Sequence, residues 1–190
     1  MAGGLLLHGR IDRSCSNKGK SDEKQEKNDM IQPVRHNDIQ KCVDVIRESF
    51  LTVADEFGFT RDNAPRFTAF ATTEERLMWQ LSSEHRPMFA FVADGDVVGY
   101  YSLLLQENHE CELNNLCVLP QFRHGGIGGE LLMHSMKPAT DFGCTKMNIG
   151  IIEENQRLRR WYESFGFVHV RTQKFDFFPF TCGYMELNIR

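Results

Sequence analysis

"NNLCVLPQFRHGGIGGELL", Asn114 to Leu132, sets four glycines (Gly125, Gly126, Gly128 and Gly129) into five consecutive positions between an apolar run that reads as a strand and one that reads as a helix. A strand that passes through such a turn into a helix start aims several backbone N–H groups at one spot, where the helix dipole also favours negative charge. Glycine suits the turn because a Cβ would hold an anion away, and several of the four positions are expected to take positive φ. The turn therefore reads as a phosphate cradle. Two common cradles do not fit it. A Walker loop needs G-x-x-x-x-G-K-S/T, yet Glu130 follows the last glycine and the turn has no lysine. A dinucleotide fingerprint needs G-x-G-x-x-G, yet Gly126-x-Gly128 meets Leu131 at the third place, and the turn lies late in the chain behind strands that look antiparallel.

Outward from the turn the pattern is mixed α/β. Upstream, "MIQPVR" reads as an edge strand interrupted by Pro33, and Asn37 or Asp38 caps a helix with apolar positions Ile39, Cys42, Val43, Ile46 and Phe50. Thr72 and Glu75 stand at capping-box spacing before a second helix. Asp94-Gly95 between two apolar runs predicts a hairpin, and "CELNNLCVL" is a further strand. Downstream, "GELLMHSMKPATDFG" predicts a helix that Pro138 bends or shortens and Gly143 stops. "KMNIGI" is a strand, "NQRLRRWYESFG" a helix capped by Asn155, and two last strands close an antiparallel pair around the aromatic run "FDFFPF". The expected order is β-α-α-β-β-β-α-β-α-β-β. Residues 1–29 are polar, with almost no apolar periodicity after Leu7, and are expected to form a tail before one domain over residues 30–190.

Bulk properties exclude several classes. A formal net charge of -4 over 190 residues offers no basic field for nucleic acid or an anionic membrane. Three leucines near the N-terminus fall far short of a membrane span or a signal core. Six scattered cysteines and seven histidines show no metal-ligand spacing, so no metal is expected and the thiols read as reduced, in a cytoplasmic protein.

"VLPQFRHGGIG" resembles the acyl-CoA-binding motif R-x-x-G-x-G of the GNAT superfamily of N-acetyltransferases, with Arg123, Gly126 and Gly128 on the pattern. "NQRLRRWYESFGF" is similar to that superfamily's later segment, in which an Asn precedes an aromatic-Tyr-x-x-x-Gly-Phe ending. The resemblance covers about residues 30–190 and implies a GNAT-like fold and direct transfer of acetyl from acetyl-CoA, as cosubstrate, to a primary amine. The acceptor is open between a small amine, an amino acid, an aminoglycoside-like compound and a protein amino group. With 26 acids against 22 bases, the chain weakly suits a cationic one. A homodimer is compatible with the reading. The alternative is a non-catalytic acyl-CoA sensor that keeps the cradle without the chemistry.

The resemblance also implies roles for single residues. The pyrophosphate lies on the backbone from Arg123 through His124, Gly125, Gly126, Ile127 and Gly128 to Gly129, with Arg123 and His124 adding charge or closing the loop. Leu116, Cys117 and Val118 offer backbone groups to the pantetheine amides and an N–H to the thioester oxygen. Asn155 contacts the cofactor or only caps its helix. Tyr162 protonates the departing thiolate or only packs in the core. A lysine-like amine is neutral in about one molecule in 10³ at pH 7, a deficit of roughly 4 to 5 kcal/mol, so a base is needed. Glu112 is the first candidate and Glu110 the second. On a regular strand Glu112 shares a face with Asn114 and Leu116, unless a bulge intervenes.

Overall fold

The computed structural model describes residues 30–189, so the expected tail lies outside the described residues. The chain forms β1 (Met30–Pro33), α1 (Ile39–Phe57), α2 (Thr68–Ala71), α3 (Glu74–Ser82), β2 (Met88–Ala93), β3 (Asp96–Leu105), β4 (Glu110–Val118), α4 (Ile127–Asp141), β5 (Lys146–Ile152), α5 (Gln156–Ser164), β6 (Val168–Lys174) and β7 (Thr181–Asn188). This is the expected order with one added single-turn helix, α2. The strands make one sheet in the order β1-β2-β3-β4-β5-β7-β6. Among the described residues only the β4–β5 pair is parallel.

Local chemistry accounts for most boundaries. Asp94 and Gly95 both take positive φ, 51° and 88°, which gives the hairpin a turn whose twist matches its strands. Asp38 precedes α1 without capping it; its carboxylate accepts from the Arg35 N–H at 3.1 Å and closes a 3-10 turn instead. The second long helix is capped one residue later than the sequence suggests. Thr73 accepts from the Arg76 N–H at 3.2 Å, while the Thr72 hydroxyl donates to the Thr68 carbonyl at 2.8 Å and finishes α2. Pro138 does not shorten α4, because a proline in the last turn forfeits only one N–H bond before Gly143 turns the chain at φ 82°. Asn155 caps α5 as expected, accepting from the Leu158 N–H at 3.0 Å.

The sheet separates two apolar layers. On one face Leu131 and Leu132 of α4 and Tyr162 of α5 pack on Tyr101, Leu113, Met147 and Met185. On the other, Cys42, Val43 and Ile46 of α1 and Leu77 of α3 cover Ala90, Tyr100 and Cys117. A third cluster closes the end of α1, where Phe180 and Phe178 from the aromatic run meet Phe59 and Phe67. Phe57 stacks on Phe59 there, whereas Trp79 on α3 is exposed.

Candidate functional site

The parallel pairing of β4 with β5 runs only from Glu110 opposite Lys146 to Glu112 opposite Asn148. Beyond that the strands separate, and among the described residues Leu113–Val118 keep a paired strand only on the β3 side. A bulge sits in the open part of β4. Tyr100 pairs with Cys117 and Ser102 with Asn114, so two residues of β4, Asn115 and Leu116, oppose Tyr101. Asn115 takes φ 55° there. Cys111 and Leu113 face α4 and α5, so alternation points Glu112 and Asn114 toward the α1 side. Past the bulge Leu116 and Val118 pack with the α4–α5 layer and Cys117 with the α1 layer. The face expected to hold Glu112, Asn114 and Leu116 together therefore ends at Asn114.

The glycine turn lies just beyond the end of β4. The Arg123 N–H bonds the Pro120 carbonyl at 3.3 Å, and the first intrahelical bond of α4 runs from the Glu130 N–H to the Gly126 carbonyl at 3.1 Å. Among the described residues no side chain caps α4, and the N–H groups at its start, from Gly126 to Gly129, converge without an acceptor there. The four glycines have different reasons to be there. Gly126 takes a positive φ of 92° and His124, two residues before it, one of 65°, but Gly125, Gly128 and Gly129 do not, which corrects the expectation that several glycines would. A Cβ on Gly129 would lie 3.3 Å from Phe165 Cζ, so that glycine lets α4 approach α5. Ile127 packs into the α4–α5 layer.

Arg123 closes the loop. Its Nε donates to the Val118 carbonyl at 3.0 Å, and its terminal nitrogens donate to Thr52 Oγ1 at 3.0 Å and the Ser49 carbonyl at 2.9 Å. The guanidinium thus ties the end of β4 to α1 and turns away from the cradle, and the Val118 carbonyl is already engaged.

Tyr162 is buried, with its ring edge-on to Trp161 and Phe167. Burial, with a smaller contribution from the Cys117 thiol, raises its phenol above the ordinary tyrosine value. The Cys117 thiol is itself pushed up to about 12, chiefly by burial, so little thiolate exists there near neutral pH.

The two candidate carboxylates differ in their neighbours. Glu110 accepts from Asn148 Nδ2 at 2.8 Å and pairs with Lys146 at 3.1 Å, and these contacts hold its carboxyl below the usual value. Glu112 has Gln106 at 3.5 Å and, among the described residues, no ion pair; partial burial raises its carboxyl, and Arg86 offsets this in part. Both line a cavity of 280 Å³ on the α1-side face, with Asn148 of β5, Tyr184 and Glu186 of β7 and Arg171 of β6. These last four carry no sequence motif; β7 brings three of them in by lying between β5 and β6.

Residues 52–167, more than half of the chain, match the acetyltransferase (GNAT) family. An uncharacterised N-acetyltransferase of Mycobacterium tuberculosis is 29% identical over 105 residues, which cover 55% of this chain and 61% of that protein. One from Lactobacillus delbrueckii is 25% identical over 147 residues, covering 72% and 82%. Among solved structures, the PaiA N-acetyltransferase of Thermoplasma acidophilum in complex with coenzyme A superposes with a TM-score of 0.71 at 18% identity, covering 84% of this chain and 98% of that one. The ribosomal-protein-S18-alanine N-acetyltransferase of Escherichia coli gives 0.66 at 16%, covering 85% and 94%. At such identities these structures speak for the fold, a seven-stranded sheet parted at its one parallel pair. The chain belongs to the acetyltransferase (GNAT) family.

Proposed function

We propose that the protein is an acetyl-CoA-dependent N-acetyltransferase that moves acetyl directly to a primary amine. The observation that carries the reading is the run of uncapped N–H groups from Gly126 to Gly129 directly beyond the free edge of β4. A diphosphate fits there because the donors converge at the positive end of α4 and no Cβ stands at Gly125, Gly126, Gly128 or Gly129. The free edge of β4 then receives the pantetheine amides as a strand would, through Leu116 and Cys117 more than the engaged Val118 carbonyl. His124 and the Asn155 Nδ2 are the remaining polar candidates for cofactor contact.

In the proposed reaction Glu112, directly or through water, takes the proton from the ammonium, and the neutral amine attacks the thioester carbonyl. The oxyanion of the tetrahedral intermediate accepts from an N–H near the bulge. Collapse breaks the C–S bond and expels a thiolate that takes a proton from Tyr162, while the proton still carried by the attacking nitrogen passes to the phenolate, directly or through water, restoring Tyr162 and leaving the neutral amide. Burial keeps the phenol protonated until that moment and also raises the proton affinity of a thiolate expelled beside it, so the site does not penalise the transfer. Glu112 is favoured over Glu110 because its raised carboxyl is the stronger base and, with Arg86 acting on it only in part, it is not held in an ion pair as Glu110 is by Lys146. The unbridged cysteines among the described residues suit a reducing compartment, and the cytoplasm is the proposed location.

The test is thiol release from acetyl-CoA across a broad amine library. Release with at least one amine is expected. Silence across the library with coenzyme A still bound would replace this reading with that of an acyl-CoA sensor.

A further inference from the structure

We propose that the cavity beside Glu112 takes an ω-amino carboxylate, a primary amine with a carboxylate about five methylene groups away, and that Arg171 recognises the carboxylate. The inference rests on the transferase reading and names its acceptor class.

Charge is the first observation. Glu110 and Glu186 share Lys146, at 3.1 and 3.5 Å, and Glu110 also holds Asn148. Among the described residues that leaves Glu112 as the lining carboxylate without an ion pair. Arg171 is the opposite case. Its guanidinium lies 3.6 Å from the centroid of the Tyr184 ring and donates to Gln173 Oε1 at 2.9 Å, with no carboxylate in ion-pair range among the described residues. Stacking and the single hydrogen bond hold the fork flat while its other donors stay open to a bidentate anion. The cavity thus has an unpaired negative group toward β4 and an unpaired, preorganised positive group over β7.

Shape is the second. The volume of 280 Å³ suits a compact metabolite better than a bulky one. On β5, Asn148 lines the cavity beside Glu112 but is turned to Glu110, and Gly150, the residue opposite Tyr184, has no side chain to stand between the two charges. Glu112 faces Asn148 and Asn148 faces Glu186 across the strands, so Tyr184 lies two strand spacings over and two residues along, about 12 Å away; with a hydrogen bond at each end, a flexible ligand of about five methylene groups reaches across. A diamine of that length would set its second ammonium against Arg171, and a simple alkylamine would leave Arg171 unpaired.

The experiment measures thiol release from acetyl-CoA by the full chain with three amines of matched length: 6-aminohexanoate, hexylamine and 1,6-diaminohexane. In the unmodified protein kcat/KM is expected to favour 6-aminohexanoate over the other two by about tenfold or more. Arg171→Gln is expected to bring the ratio close to one, and Arg171→Lys, which keeps the charge but not the fork, to restore part of it. Equal or better use of hexylamine or the diamine, or a preference that survives in Arg171→Gln, would overturn the assignment while leaving the transferase standing. Silence with all three amines and with the broad library, while coenzyme A still binds, would sink both readings together.

Discussion

Glu110 and Glu112 lie two positions apart on β4 and point the same way, yet their surroundings give them different chemistry. Lys146 and Asn148 stabilise the ionised form of Glu110, whereas burial disfavours that of Glu112. Glu112→Gln is therefore expected to lower kcat roughly 10²- to 10⁴-fold with little change in coenzyme A affinity, and Glu110→Gln to lower it far less. The pH profile carries the sign. A base works only when deprotonated, so kcat/KM should rise with pH through a midpoint above the usual carboxylate value of about 4.3, and Glu112→Gln should abolish that limb. A limb at the ordinary value would count against Glu112. Tyr162→Phe keeps the packing on Trp161 and Phe167 and removes the proton, so it should reduce kcat and leave the dissociation constant for coenzyme A in place. Gly126→Ala forces a Cβ onto a residue at φ 92° and is expected to cost about 1–2 kcal/mol of stability together with cofactor affinity.

At the scale of elements, the turn works because other pieces hold it. Arg123 binds the end of β4 to α1 through three hydrogen bonds, so Arg123→Lys, with the charge kept and the fork lost, should lower stability by about 2–3 kcal/mol in denaturant unfolding. If Arg123 instead neutralised phosphate, Arg123→Lys would retain stability, and Arg123→Ala would chiefly flatten the salt dependence of cofactor binding. The sequence made the strand–glycine–helix unit legible, since turn chemistry and helix starts depend on neighbours in the chain. It left the role of Arg123 open because Ser49 and Thr52 lie more than 70 residues away. Thr72 and Thr73 show the same limit on a shorter scale: either can cap, and the unforeseen α2 engages the first of them. The bulge at Asn115 was equally hidden, because an asparagine pair on a strand does not announce which residue will take positive φ.

For the whole molecule, the decisive feature is one parallel pair in an otherwise antiparallel sheet, parted after Glu112 and Asn148. The alternation of elements foretold the mixed sheet, but not that β7 would insert between β5 and β6. That insertion places Tyr184 and Glu186 two strands from Glu112, so the proposed acceptor floor could not be read before the topology was known. The most direct test of the central claim is titration calorimetry of the folded protein with coenzyme A. Saturable heat with one site per chain, weakened by Gly126→Ala, is the predicted result; no heat of association from intact protein would contradict a diphosphate cradle at the start of α4.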